Sequence, residues 1–258
     1  MKDNILWIFI HPIRSGGGTI LEYLRERIPA DEISFTSEVR YKFDNAKKLN
    51  KNKVRFMLGH ATYYGIHKLA PDKSPRYFIF LRDPAERVIS YYNAKMQEVG
   101  KKIPFDIWYK NQMKDDLVNF LDLKYRGSES SRINTPKIFM PIVRRLNYKT
   151  FYFIQTTISR VLRSNRSGER KKLENAKKLL DLCWFVGIVE NSKEDFKFLF
   201  KEMGLKNPKW TNKGASKKIL ELNEHLRKKI YDENKLDVEI YNYALKLNKQ
   251  KRPTHIAN

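Results

Sequence analysis

The chain has 258 residues, 41% of them hydrophobic, which is enough apolar material for one globular domain with a real core and excludes disorder throughout. Lys and Arg number 52 against 29 Asp and Glu, a formal charge of +23, and so basic a surface favours anionic partners without naming the anion. The single cysteine, Cys183, excludes an internal disulfide and a Cys-based zinc cluster and fits a reducing compartment, with a cytoplasmic location as the expectation.

The first apolar run, Ile5 to Ile10, is far shorter than the ~20 residues that span a bilayer, and no signal-cleavage pattern follows it. Neither a repeat nor a Pro/Gly/Ser-rich linker divides the chain. It reads as a single domain over residues 1–258, irregular over 100–170, with a flexible tail over 249–258. Short apolar or β-branched runs at 5–10, 54–58, 76–81, 151–154 and 184–189 have the character of strands buried on both faces, the mark of a parallel sheet. Helical periods lie between them: Ile20, Leu21, Leu24 and Ile28; then Val88, Ile89, Tyr92 and Met96; then Leu173, Ala176, Leu179 and Leu180. Strand alternating with helix predicts an α/β fold, a central parallel β-sheet flanked by helices.

The C-terminal third is helical, with candidates at 192–203, 216–233 and 236–248 that serve as scaffold. Between 100 and 150, Pro104, Pro136 and Pro141 interrupt short amphipathic pieces. That stretch is either the place of acceptor contacts or irregular helix packing. The basic segment from Arg144 to Lys178 reads first as a solvated loop and helix face, and otherwise as a contact for phosphate or an acidic glycan.

Three constellations carry chemistry. The first is the passage HPIRSGGGT after the first strand. Gly16, Gly17 and Gly18 allow positive φ and close approach to a ligand, and Thr19 opens a helix whose free amides and dipole favour an anion. Arg14, Ser15 and Thr19 complete a phosphate cradle, although a tight β–α turn alone also needs glycines. The Gly-Lys-Ser/Thr ending of a nucleotide P-loop is missing.

The second is LRDPAERVISYY. Asp83, Pro84 and Glu86 spell a helix start: N-cap, proline in the first turn and a reciprocal capping glutamate. That leaves Arg82, at the carboxyl end of a buried strand where open α/β sheets bind ligands, and Ser90 on the following helix. A guanidinium there forks onto phosphate, with Ser90 as its partner hydroxyl or as a small packing residue. The third is GHATYYG, which places His60 directly after a buried strand, either as a general base near neutral pH or as a hydrogen-bonded structural histidine. His11 lies beside the cradle, and no pair of histidines has zinc-ligand spacing, so no metal is expected.

In this order and at these gaps the segments resemble the sulfotransferases that use 3′-phosphoadenosine 5′-phosphosulfate (PAPS), in the branch of the heparan sulfate 2-O-sulfotransferases and their bacterial relatives. The Pro-Ile-Arg-Ser-Gly-Gly-Gly-Thr stretch is similar to that family's 5′-phosphosulfate loop, RDPAERVISYY to its 3′-phosphate segment, and GHATYYG to its Gly-His segment. ENAKKLLDLCWFVGIVENSKEDFKFLFKEMGL and NKLDVEIYNYALKL resemble its late strand and closing helix. The resemblance implies a P-loop-NTPase-like sulfotransferase fold, PAPS as donor without metal, and PAP as product. It implies binding roles for Arg14, Ser15, Gly16, Gly17, Gly18, Thr19, Arg82 and Ser90. His60 becomes the base that activates an acceptor hydroxyl, with Arg14 beside the leaving side. The implied acceptor is a saccharide. Two departures stand out: Arg14 replaces the family's lysine, and Gly18 replaces its phosphate-binding threonine unless a one-residue insertion makes Thr19 the equivalent.

Two other classes compete. A non-catalytic binder of polyanions fits the charge, but its basic residues are not interleaved with aromatics in a nucleic-acid pattern, and nucleic acid is not the expected partner. An atypical nucleotide-dependent kinase needs magnesium and a carboxylate after a strand. Asp83 is the near candidate, and capping already explains it.

Overall fold

In a computed structural model of the protein, which describes residues 4–35, 50–60, 62–100, 102–127, 168–205 and 217–251, five strands form one all-parallel sheet. They are β1 (Ile5–Ile10), β2 (Ile33–Phe35), β3 (Phe56–Leu58), β4 (Ser74–Leu81) and β5 (Phe185–Ile188), in the order β2-β3-β1-β4-β5. The central strand β1 pairs with β3 on one side and β4 on the other, with Ile5 opposite Ser74 and Ile10 opposite Ile79. The chain leaves β1 toward one edge and, after β3, crosses to the other. The carboxyl end of β1 thus lies at the switch point where sheets of this kind open a crevice for ligands.

Period-two alternation divides the strands between two faces. Leu6, Ile8, Ile10, Ile79, Leu81, Val186 and Ile188 form an aliphatic face against α4 (Asp116–Arg126), α5 (Glu169–Leu182) and α8 (Lys235–Lys251). Trp7, Phe9, Phe56, Phe78, Phe80 and Phe185 form an aromatic face against α1 (Gly17–Arg25) and α6 (Ser192–Glu202). Each fully buried ring contributes about 1.5–3 kcal/mol. Gly187 is required between the rings, since a Cβ there would lie 2.3 Å from the ring of Phe80, its partner across β4 and β5.

A third apolar cluster joins α2 (Pro84–Val99), α3 (Phe105–Lys110) and α7 (Glu224–Glu233) through Ile89, Tyr92, Met96, Phe105, Tyr109 and Ile230. The amino ends of α4 and α8 cap each other. Asp115 accepts from the Leu236 and Asp237 amides at 2.9 and 3.0 Å, and Asp237 accepts from those of Leu117 and Val118 at 3.1 and 2.9 Å. Arg87, buried on α2, pairs with Asp237 at 3.1 Å and Asp116 at 3.3 Å.

The expected strands at 5–10, 54–58, 76–81 and 184–189 are present with small changes at their ends, and β2 is an addition to them. The expected strand at 151–154 lies outside the described residues, as does most of the basic segment 144–178. The helix expected over 216–233 begins only at Glu224, because Asn223 accepts from the Leu226 amide at 2.9 Å and caps it there. Within 100–150 the described part holds two short helices, α3 and α4, and residues 249–251 continue α8 into what was expected to be tail. Among the described residues no helix is long and apolar enough to cross a membrane.

Candidate active site

The turn between β1 and α1 is shaped by two left-handed residues. Gly16, the N-cap of α1, has φ 76°, which glycine adopts without penalty. Arg14 has φ 64°, a conformation that costs a non-glycine residue on the order of 1 kcal/mol and recurs at functional sites. The first turn of α1 carries no acidic residue, so its positive end is not neutralised from within. Ser15 is fully buried and its Oγ has no hydrogen-bond partner among the described residues, an orphaned hydroxyl at the turn. A Cβ at Gly18 would meet nothing within 4 Å, whereas Thr19 is buried in the first turn. Gly18 therefore faces open space and Thr19 faces protein.

Arg14 reaches across to α2, where its Nε donates to Ser90 Oγ at 3.0 Å. Burial, and after it the repulsion of Arg82, pull Arg14 below the ordinary arginine range. The two guanidiniums are thus near enough to repel each other, a repulsion that a bound anion relieves. Arg82 follows the last residue of β4 and holds Glu86 Oε2 at 3.1 Å. The three residues expected to read phosphate, Arg14, Arg82 and Ser90, converge from two segments of the sequence.

His60 follows β3 at the same sheet edge. Its Nδ1 lies 3.3 Å from the carbonyl oxygen of His11. A carbonyl only accepts, so Nδ1 carries the hydrogen and Nε2 keeps its lone pair, the tautomer a general base needs. The ring stacks on that of His11, with centroids 4.1 Å apart, and His11 stacks on Phe9 at 4.9 Å. His11 also explains Gly17, where a Cβ would fall 1.7 Å from its Nε2. One buried ring therefore touches both the glycine turn and the candidate base. Burial, then the neighbouring His60 and Lys124, push the His11 imidazole down to about 3, so it is neutral at physiological pH. Thr62 anchors the turn after β3 through its hydroxyl, which shares its one hydrogen between the carbonyls of Phe9 and Gly59 at 2.5 and 2.9 Å.

The helix start after Arg82 is built differently from the expected capping box. Asp83 is the N-cap, accepting from the Glu86 amide at 3.0 Å, with Pro84 in the first turn. The reciprocal bond, however, comes from Glu190 beyond β5, whose Oε1 accepts from the Asp83 amide at 3.1 Å. The Glu86 carboxylate is instead turned to Arg82. Asp83 Oδ2 accepts from Tyr231 and pairs with Arg227 at 3.1 Å. With both oxygens engaged, Asp83 is a structural carboxylate, which removes the motive for the kinase reading.

Sequence reasoning missed four residues here. Lys124 of α4 is buried and its Nζ donates to the His60 carbonyl. Glu190 and Arg227 line the Arg82 cleft, and Tyr231 donates to Asp83 in its wall. None lies near its partner in sequence, and no local pattern marks them.

The sulfotransferase family model matches residues 30–244. The chain belongs to the sulfotransferase family. The match covers GHATYYG and RDPAERVISYY but begins after the glycine turn. Among solved structures the chain is similar to mouse sulfotransferase SULT7A1 complexed with PAP, at 14% identity and a TM-score of 0.39, over 90% of this chain. It spans 63% of that protein's length. No curated protein matches.

Proposed function

We propose that this chain transfers a sulfuryl group from PAPS to a hydroxyl of a carbohydrate acceptor, as the resemblance to the heparan sulfate 2-O-sulfotransferase branch implies. The observation that carries this reading is the hydrogen bond from Arg14 Nε to Ser90 Oγ at 3.0 Å beside Arg82, because it joins the two phosphate-reading segments at the positive end of α1.

The residues suit the donor. Ser15 Oγ, the amides of the Gly16–Thr19 turn and Arg14 form the seat for the 5′-phosphosulfate, and Arg82 with Ser90 the seat for the 3′-phosphate. When bound, PAPS supplies an activated sulfuryl group and a phosphate leaving group. His60, fixed as the Nδ1–H tautomer by the His11 carbonyl, takes the proton of the acceptor hydroxyl at Nε2 as the new O–S bond forms. Arg14 and the first-turn amides hold the charge that builds on the leaving oxygen. That oxygen belongs to a phosphate and needs no proton near neutral pH, so arginine serves where the family has lysine. Much of the rate comes from positioning.

Transfer of radiolabelled sulfuryl from PAPS to a panel of polysaccharides, oligosaccharides and simple alcohols tests the reading. Labelled saccharide with the wild type and its loss in His60→Ala are expected. Labelling confined to the simple alcohols overturns the carbohydrate assignment, and labelling that survives His60→Ala overturns the base.

A further inference from the structure

Glu86 is free of the role its position suggests. In a capping box its carboxylate bonds the N-cap amide, but Glu190 holds that amide at 3.1 Å. Glu86 lies between two guanidiniums instead, with Oε2 3.1 Å from Arg82 Nη2 and Oε1 3.8 Å from Arg227 Nη2. The three side chains line one cleft at the carboxyl ends of β4 and β5, together with Asp83, Glu190 and Tyr241. The two contacts are unequal: the first is a charge-assisted hydrogen bond and the second is too long for one. Arg227 is held in place independently by Asp83 Oδ2 at 3.1 Å, so it waits as a fixed cation within reach of Glu86.

We propose that Glu86 is a built-in counter-ion of the 3′-phosphate seat, occupying Arg82 until a phosphate takes its place and then closing onto Arg227. The inference rests on the reading of Arg82 as a 3′-phosphate ligand. Its chemistry is exchange of one anion for another on Arg82. A dianionic phosphate that also reaches Ser90 displaces the carboxylate, and Arg227 compensates the displaced charge, which keeps a second anion from being stranded beside the first. Weak monovalent anions do not make this exchange, so Glu86 trades affinity for selectivity toward a doubly anchored phosphate.

Calorimetric titration of the full chain with PAP and with AMP, which lacks the 3′-phosphate, tests it. Glu86→Gln is expected to tighten PAP about threefold to tenfold, a size set by removing one partly screened charge near a phosphate, and to leave AMP within about twofold. Arg227→Gln is expected to weaken PAP, and to do so less in the Glu86→Gln background, the coupling that a shared carboxylate produces. Unchanged or weaker PAP binding in Glu86→Gln, or an equal change for AMP, overturns the inference while leaving the donor site standing. PAP binding that survives Arg82→Ala overturns the donor reading and this inference with it.

Discussion

Arg14 Nε donates to Ser90 Oγ at 3.0 Å across 76 residues of sequence, and this bond fixes the glycine turn of β1–α1 against α2. It also holds the Arg14 guanidinium in a left-handed backbone setting whose strain the surrounding contacts must support. On the proposed reading, Ser90→Ala removes both the tie and a hydroxyl of the 3′-phosphate seat. PAP affinity is expected to fall about tenfold by calorimetry, in line with loss of one hydrogen bond to a charged group, while thermal stability changes little.

In the proposed mechanism Arg14 contributes more than a tether, because it carries a charge within the turn itself. Arg14→Ala is expected to lower turnover about 10²- to 10³-fold, the usual effect of removing one preorganised donor from developing charge. Arg14→Lys keeps the charge and the family's residue but lacks the Nε donor to Ser90, so it should restore most of the activity. Steady-state kinetics with the acceptor found in the labelling assay measures both.

In the proposed mechanism His60 acts on the acceptor side alone. His60→Ala should reduce kcat about 10²- to 10⁴-fold and leave the PAP dissociation constant within twofold. Equal losses in kcat and donor affinity would instead mean that residue 60 shapes the donor turn.

His11 gives the fold a pH dependence of definite sign. Its imidazole is held down to about 3, against an ordinary value near 6.5, so between those values the unfolded chain binds a proton that the folded chain refuses. Its contribution is present above pH 6.5 and is lost as pH falls toward 3, at up to about 1.4 kcal/mol per unit. Asp237, pushed up to about 6 by burial, works oppositely: the folded chain takes its proton first, and stability rises as pH falls from 6 toward 3.8. The difference between wild type and His11→Phe cancels Asp237 and isolates His11. Urea midpoints measured from pH 7 to 4 should fall more steeply for the wild type than for the variant, which keeps the ring stack and cannot titrate.

Arg87 is a structural member of the RDPAER segment. Its guanidinium is buried against Asp237 and Asp116, and Asp237 caps α4. Arg87→Met leaves that buried carboxylate uncompensated and is expected to cost about 3–5 kcal/mol in chemical denaturation. Activity per folded molecule should be nearly unchanged.

The sequence shows the parts of this molecule that are governed by neighbours along the chain. The apolar runs of β1, β4 and β5, the left-handed Gly16 turn and the Asp83–Pro84 helix start are all readable because their causes lie within a few residues. Strand β2 is three half-buried residues, too short for a pattern to form. Glu190, rather than Glu86, bonds the Asp83 amide from 107 positions away, and Asp115 and Asp237 cap each other's helices across more than a hundred. His11 looks like a bystander until its ring is seen between Gly17, Phe9 and His60. Such partners are chosen by the sheet order, which no local signal records.

Calorimetric titration with PAP and separately with ATP, without magnesium and near physiological salt, on the wild type and Arg82→Ala, bears most directly on the donor assignment. Near-physiological salt screens loose attraction to so basic a surface. Tight binding of PAP, weak binding of ATP and loss of PAP binding in Arg82→Ala are expected. No preference for PAP over ATP, or PAP binding that Arg82→Ala leaves intact, contradicts a site built to read a 3′-phosphate.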